Sequence, residues 1–354
     1  MEFYHSPYGE AMAKKRVNAG FPRVDRLGSM LAMRNKALGD VLKVWLYAMA
    51  SVWLGAWVAP LLFNAGKALA EVSQGRSTNG FFEWLAEHCR TAEFPVFFMA
   101  GVWLAAGVLF LPWLEWLDAR RGVRTGGRGQ GLEKNPRGGW HALAGFLLVA
   151  GLLLPLGIAM LVTGDAKLRD PGPELPGMAM RALWMAWLLA LMMEVFFRGL
   201  VMGIFLRGMR PAAALGMSAA FFALALSVIP REGLNVPDPE APRVGFELLR
   251  QMAVRFADVT VVLAEFVPLL ALGLVLSYAR WRTASLWLPT GLHAGWWFAR
   301  ELLGRLRSSP HAPDPERTAG FLLHGLVPLA AIFAAGALAH FLTRKPNDAH
   351  GAES

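Results

Sequence analysis

Residues 182–206 read ALWMAWLLALMMEVFFRGLVMGIFL, 25 positions with two charges, Glu194 and Arg198. A helix needs about 20 predominantly apolar residues to cross the roughly 30 Å hydrocarbon core of a bilayer. The stretch therefore predicts a membrane-crossing helix, and one that carries a carboxylate and a guanidinium into lipid. Five further stretches meet the length rule with no charge at all: 44–66, 94–114, 138–164, 211–230 and 318–343. Residues 259–279 are apolar except for Glu265, and 283–299 is uncharged but short and contains His293. The pattern predicts an all-α polytopic membrane protein of about eight transmembrane helices.

The composition agrees. Of 354 residues, 55% are hydrophobic and 17% charged, whereas soluble domains carry about 25% charge. That excludes a disordered chain and argues against an ordinary soluble enzyme. The single cysteine, Cys89, excludes an intrachain disulfide framework and a Cys-rich zinc site. In a soluble protein the net charge of +9 would point to nucleic acid. In a membrane protein it is read first as orientation, because Lys and Arg collect on the cytoplasmic side. Twenty of the 35 fall in the tail 1–43, the connection at 120–137, the turns at Arg207/Arg210 and Arg280/Arg282, and the tail 344–354. Both termini are thus predicted cytoplasmic, in a plasma or inner membrane, with the lipid bilayer and no nucleic acid as partner.

The predicted organisation is a basic tail (1–43), three helices within 44–164, a core at 180–300, a last helix at 318–343 and a short tail (344–354). The first 40 residues are polar and basic, so the first span is expected to act as an uncleaved anchor. Residues 126–131 read as a Gly/Arg-rich linker and 236–242 as a Pro-rich acidic loop. Trp113, Trp116, Trp140, Trp281 and Trp287 lie near span ends, where an aromatic belt belongs.

Ionisable groups inside a membrane are costly and mark function or pairing. Glu194 and Arg198 stand four apart and share one helix face, so they are expected to pair. Such a pair is a catalytic candidate or a self-neutralised packing element. His293 lies in Gly291-Leu-His-Ala-Gly295, a small-xxx-small pattern, and Gly199 and Gly203 repeat it. Such glycines let helices approach closely, which predicts contact between these two helices and brings His293 towards Glu194. Glu265 reads as a hydrogen-bonded neutral acid near a helix start, with a catalytic carboxylate as the alternative. His141, His324 and His340 lack an acidic neighbour one helical turn away and read as structural. His88 beside Cys89 is too little for a metal site.

These residues carry a resemblance. Met193-Glu-Val-Phe-Phe-Arg-Gly199 resembles the first motif, Glu-Glu-x-x-x-Arg, of the CAAX-protease and bacteriocin-processing (CPBP) family of multi-spanning membrane endopeptidases. Phe222-Ala-Leu-Ala-Leu226 stands at the second motif, Phe-x-x-x-His. His293-Ala-Gly-Trp-Trp297 stands at the third, His-x-x-x-Asn. The run from Gly273 to His293, GLVLSYARWRTASLWLPTGLH, is similar to the family's approach to that histidine. The resemblance covers roughly residues 180–300. It implies hydrolysis of a peptide bond in a membrane-associated peptide or protein, with Glu194, Arg198 and His293 at the site and zinc as the divalent metal of the family's usual description. Glu194 and His293 are the only ligands it offers such a metal.

Three positions depart from the pattern. Met193 replaces the glutamate taken as general base, Leu226 the second-motif histidine and Trp297 the third-motif asparagine. Met and Leu are neither bases nor metal ligands. Losing a general base alone costs about 10²–10⁴-fold. Glu194 is one residue along, about 100° around the helix from position 193, and Arg198 engages its charge. One His and one Glu fall short of the usual three protein ligands of a catalytic zinc. Three readings follow: a CPBP endopeptidase, weak or inactive by family chemistry; a silent pseudoprotease that binds or scaffolds a membrane partner; and, third, a transporter. Neither internal repeats nor paired broken helices support the last.

Overall fold

The computed structural model describes residues 23–73, 79–117, 135–163, 167–168, 172–230, 234, 236, 238–308 and 326–343. The linker at 126–131, His324 and both tail ends lie outside them, as does the first part of the span expected at 318–343. The helices are α1 (Arg23–Val72), α2 (Gly80–Thr91), α3 (Phe94–Trp116), α4 (Gly138–Thr163), α5 (Leu175–Glu194), α6 (Met202–Gly208), α7 (Pro211–Ser227), α8 (Val244–Arg255), the single turn α9 (Val259–Val261), α10 (Val267–Thr283), α11 (Trp287–Leu306) and α12 (Leu326–Leu342). Two π-helical turns join them without a break, Val195–Val201 between α5 and α6 and Val262–Phe266 between α9 and α10.

Every predicted span thus falls on a helix in the described residues. Among the described residues, four runs are long and apolar enough to cross a membrane: Leu38–Val72, Phe94–Trp116, Gly138–Ala159 and Gly172–Gly208. Pro211–Ser227 and Leu329–Phe341 are apolar but shorter. The exposed surface is apolar too. Met49, Trp53, Trp57 and Leu61 on α1, Trp103 and Leu111 on α3, and Trp184 and Leu188 on α5 face outwards. Apolar patches of that extent mark surfaces that meet something other than water. The chain is an all-α polytopic membrane protein.

Some expectations change. Helix α1 begins at Arg23, within the basic tail expected at 1–43. The run from Ser29 to Lys43 is rich in Ala, Leu, Met and Lys and has no proline, so nothing stops a helix there. Trp113 is no belt residue. It is buried, stacks on Tyr47 at 4.4 Å and donates its indole N–H to the Lys43 carbonyl at 3.1 Å. Trp116, Trp140, Trp281 and Trp287 are exposed. The span expected at 283–299 starts late, at Trp287, because Ala284 ends α10 in the left-handed region (φ 49°).

That turn folds α11 back along α10 and into the centre of the bundle. Leu288 to Trp296 are nine consecutive buried residues, the mark of a helix enclosed on every side. The glycines decide how α11 sits. A Cβ on Gly291 would lie 2.0 Å from the Ala142 carbonyl oxygen of α4, and one on Gly295 2.6 Å from that of Phe146. The small-xxx-small pattern therefore packs α11 on α4, and not on the helix of Glu194 as the sequence suggested. His293 stands about 200° around from Gly291, so the same packing turns the histidine the other way, towards α5.

Two clusters of buried apolar side chains result. The larger joins the start of α1 and the end of α3 to α4, α5–α6, α7, α10, α11 and α12. The smaller lies towards the other end of α1 and gathers Ala56, Phe63, Phe94, Phe98, Val244 and Leu248 from α1, α3 and α8. Two two-residue strands, β1 (Lys167–Leu168) and β2 (Arg307–Ser308), pair antiparallel and tie the start of α5 to the end of α11.

The α4–α11 contact is testable. Gly291→Ala is expected to lower thermal stability in detergent by the equivalent of about 1–3 kcal/mol, the usual cost of overpacking. Gly216→Ala, where a Cβ meets no atom within 4 Å, is expected to leave it unchanged or raised.

Candidate functional site

Glu194 is the last residue of α5, and Arg198 lies in the π turn that follows. A π turn widens the helix and recurs at functional sites. Both side chains are fully buried. Arg198 Nη1 donates to Glu194 Oε1 at 3.0 Å, and Nη2 donates to the carbonyl of Gly273 on α10 at 3.3 Å. The guanidinium carbon lies 4.2 Å from the centre of the Phe222 ring on α7, a cation–π contact. His293 packs edge-on against the same ring at 5.6 Å. Its Nδ1 is 2.7 Å from Glu194 Oε1. One carboxylate oxygen thus serves both the guanidinium and the imidazole, while Oε2 makes no hydrogen bond among the described residues.

The other imidazole nitrogen is taken as well. Trp297, one turn on from His293, places its indole Nε1 3.0 Å from His293 Nε2. An indole N–H only donates. The partners therefore assign the tautomer: Nε2 accepts from Trp297, and the proton on Nδ1 points to Glu194. His293 is neutral with both nitrogens engaged. The Arg300 guanidinium lies 4.9 Å over the Trp297 ring and covers its outer side.

Met193 and Leu226 are half-buried and pack against the larger apolar cluster. Glu265 stands apart from the polar group. It pairs with Arg255 at 3.0 Å, beside a shallow pocket lined by Ser227, Met252 and Phe266. Eight residues, or roughly 12 Å of helix rise, separate it from Gly273. The structure brings Glu194, Arg198, Phe222 and His293 together and leaves Glu265 out. Glu265 is a hydrogen-bonded acid near a helix start, and its partner Arg255 comes from α8, ten residues earlier, which no periodicity along one helix reveals. Asp258 starts the turn between them. Hydrogen bonds from the Thr260 hydroxyl and backbone N–H hold its carboxyl below the usual carboxylate range, so this cap stays charged at neutral pH. His340 lies against Tyr278, with its Nδ1 2.5 Å from the phenol oxygen.

Among the described residues no group of three or more His, Cys, Asp or Glu is gathered as a metal site. With both nitrogens of His293 already bonded, the donors present do not fit a catalytic zinc.

Residues 175–299, about a third of the chain, match the family model described as type II CAAX prenyl endopeptidase Rce1-like. This segment belongs to the CPBP family. It contains all four residues of the buried cluster and the three substituted positions. None of the curated proteins and none of the solved structures matches the chain. Within the CPBP segment, the residues that fit the family pattern are the ones in mutual contact. Among the three departures, Trp297 is hydrogen-bonded to the cluster, through His293.

Truncating one member of a buried pair leaves an uncompensated charge, at a cost of about 3–5 kcal/mol. Arg198→Met is expected to destabilise the folded chain by that order in denaturant unfolding in micelles. Glu194→Met with Arg198→Met together should cost less than Arg198→Met alone, because no lone ion remains.

Proposed function

We propose that this chain keeps the CPBP scaffold, has lost the family's hydrolytic chemistry, and binds a membrane-associated peptide or protein. The observation that carries this reading is the hydrogen bond from Trp297 Nε1 to His293 Nε2. Peptide hydrolysis needs a group that takes a proton from water and donors that meet the developing oxyanion. Position 193, where the family pattern has its base, holds a thioether. Position 226 holds an aliphatic chain. Position 297 spends its single N–H on the histidine and is unavailable to an oxyanion. What survives is a neutralised, enclosed polar group that joins four elements, which is a structural asset with or without catalysis.

A second reading, hydrolysis by a rearranged site, is favoured by the 2.7 Å contact between Glu194 and His293. A carboxylate on Nδ1 orients an imidazole for base chemistry at Nε2. That chemistry requires Trp297 to leave Nε2.

The basic ends of the helices support an orientation with both termini in the cytoplasm. Lys43 Nζ donates to the Trp116 carbonyl at 2.9 Å, so the start of the first span and the end of α3 lie at one end. We assign that end, with the Arg207/Arg210 and Arg280/Arg282 turns, to the cytoplasmic face of the cell membrane.

The test uses purified protein in phosphatidylcholine vesicles with prenylated and unprenylated CAAX peptides. The parent is expected to cleave neither above protein-free vesicles, and to retain peptide on flotation. M193E/L226H/W297N is expected to gain turnover. W297F, which lacks the N–H, stays silent under the first reading and gains turnover under the second. Parental turnover abolished by H293A overturns the proposal, and failure to retain any peptide overturns its binding half.

A further inference from the structure

Helix α2 belongs neither to the family segment nor to the predicted spans. It has 12 residues, GFFEWLAEHCRT, about 18 Å of helix and too short to cross a bilayer. Its ends are well made. The Asn79 side chain accepts from the Phe82 N–H at 3.0 Å, an N-cap that satisfies a free donor. At the other end Lys67 Nζ, from α1, donates to the carbonyls of Arg90 and Ala92 at 2.9 and 2.8 Å. Lys67 also lies 5.2 Å over the Phe63 ring. The helix is thereby fixed to α1.

Three faces follow from its 3.6-residue period. Ala86, which is buried, and Cys89, whose Sγ would stand 3.3 Å from a Cβ on Gly66, form the face that packs on α1. Glu83, Glu87 and Arg90 form a charged face, with Arg90 and Glu87 paired at 2.7 Å. Phe81, Trp84 and His88 form an aromatic face, in which Trp84 stacks on His88 at 5.5 Å. Phe81 and Trp84 are 63% and 59% exposed. With one face against α1, the aromatic and charged faces point away on opposite sides of it.

The depth of α2 is set by its neighbours. Lys43 and Lys67 stand 24 residues apart on α1, about 36 Å, which matches a hydrocarbon core of roughly 30 Å plus the start of the headgroups. Lys67 therefore marks the level at which α1 leaves the bilayer. Only Ala92 and Glu93 separate α2 from Phe94, where the span of α3 begins. The C-terminal end of α2 is held at the membrane boundary from both sides.

We infer that α2 is an interfacial helix whose Phe81/Trp84/His88 face lies in the boundary between headgroups and acyl chains, with Glu83, Glu87 and Arg90 in water. Aromatic rings at that level and a helix lying along the surface are the established physics of such anchors. The charged face carries two acids and one base, so the helix inserts into zwitterionic lipid and does not require anionic lipid. This inference is independent of whether the chain hydrolyses peptides.

Cys89 is the only cysteine, so C89S provides a cysteine-free chain for labelling. In that background W84C, F81C or E87C is labelled with an environment-sensitive fluorophore and reconstituted in phosphatidylcholine vesicles. Labels on W84C and F81C are expected to be quenched by lipid carrying a nitroxide high on its acyl chain and protected from aqueous iodide. The label on E87C is expected to show the reverse. Equal iodide quenching at all three positions overturns the inference by placing the aromatic face in water. Shielding of W84C and F81C from both quenchers overturns it by showing that protein, such as a second copy, covers that face. Acyl-chain quenching that appears only when phosphatidylglycerol is added overturns the zwitterionic assignment. F81C and W84C each retain the other aromatic residue, so misfolding of one variant, read by circular dichroism, leaves the other to decide.

Discussion

Glu194 and Arg198 carry opposite charges into a core that water does not reach, and neither ion is tolerable there without the other. Removing an ion from water costs several kcal/mol even after relaxation, and only close pairing with further hydrogen bonds recovers it. The pair therefore dictates its surroundings. Nη1 is used by Glu194, so Nη2 needs another acceptor, and the Gly273 carbonyl brings α10 to it. The flat face of the guanidinium is covered by Phe222, which fixes α7. The shared Oε1 then accepts a hydrogen bond from the Nδ1–H of His293, which fixes α11. One ion pair thus orders α5 with its π turn, α7, α10 and α11.

The parts of this arrangement that were legible in the sequence are the local ones. A spacing of four on one helix puts Glu194 beside Arg198, and the same spacing puts Trp297 beside His293. The encounter of the two pairs was expected from their glycines, but by a different geometry. Gly291 and Gly295 face α4, and the histidine reaches Glu194 because it lies on the opposite side of α11. Long-range partners left no trace in periodicity. Glu265 read as a hydrogen-bonded acid, but its partner could not be named because Arg255 belongs to another helix. Trp113 looked interfacial because nearness to a span end does not say whether a ring turns towards lipid or towards Tyr47. Helices α2 and α8 are too short and too charged for a hydropathy window. Helix α11 is hard to recognise for a related reason: protein, not lipid, surrounds most of it, so its sequence need not satisfy the bilayer.

The division among the family positions has a physical sense. Glu194, Arg198, Phe222 and His293 hold helices together, and each would leave an unsatisfied charge, an uncovered guanidinium or a cavity if lost. Met193 and Leu226 sit half-buried among apolar neighbours, where a thioether and an isobutyl group are compatible with the fold and a carboxylate or imidazole would need its own partners. Trp297 does more than fill space, because it closes the one acceptor that His293 had left. The buried polar cluster can therefore hold this fold together whatever the adjoining positions carry, and similarity of the segment to the family and activity of the chain are separate properties.

The first half of the molecule is held by other means. Lys43 and Lys67 each extend an aliphatic stem past an aromatic ring, Trp116 and Phe63, and each delivers its ammonium to backbone carbonyls freed near a helix end. Carbonyls near the bilayer lack the steady supply of water donors that they have in solution, so a lysine there supplies a charge to the headgroup layer and donors to the backbone at once. Between the two lysines α1 and α3 come close, with a Cβ on Gly101 lying 2.7 Å from the Gly55 carbonyl. Helix α1 is thus tied to the end of α3 by Lys43 and to the end of α2 by Lys67, and packs tightly on α3 between them. It needs no buried charge, unlike the family segment. That difference explains why hydropathy suffices to describe α1 and α3, whereas the arrangement of α5 and α11 is explained by their polar contacts.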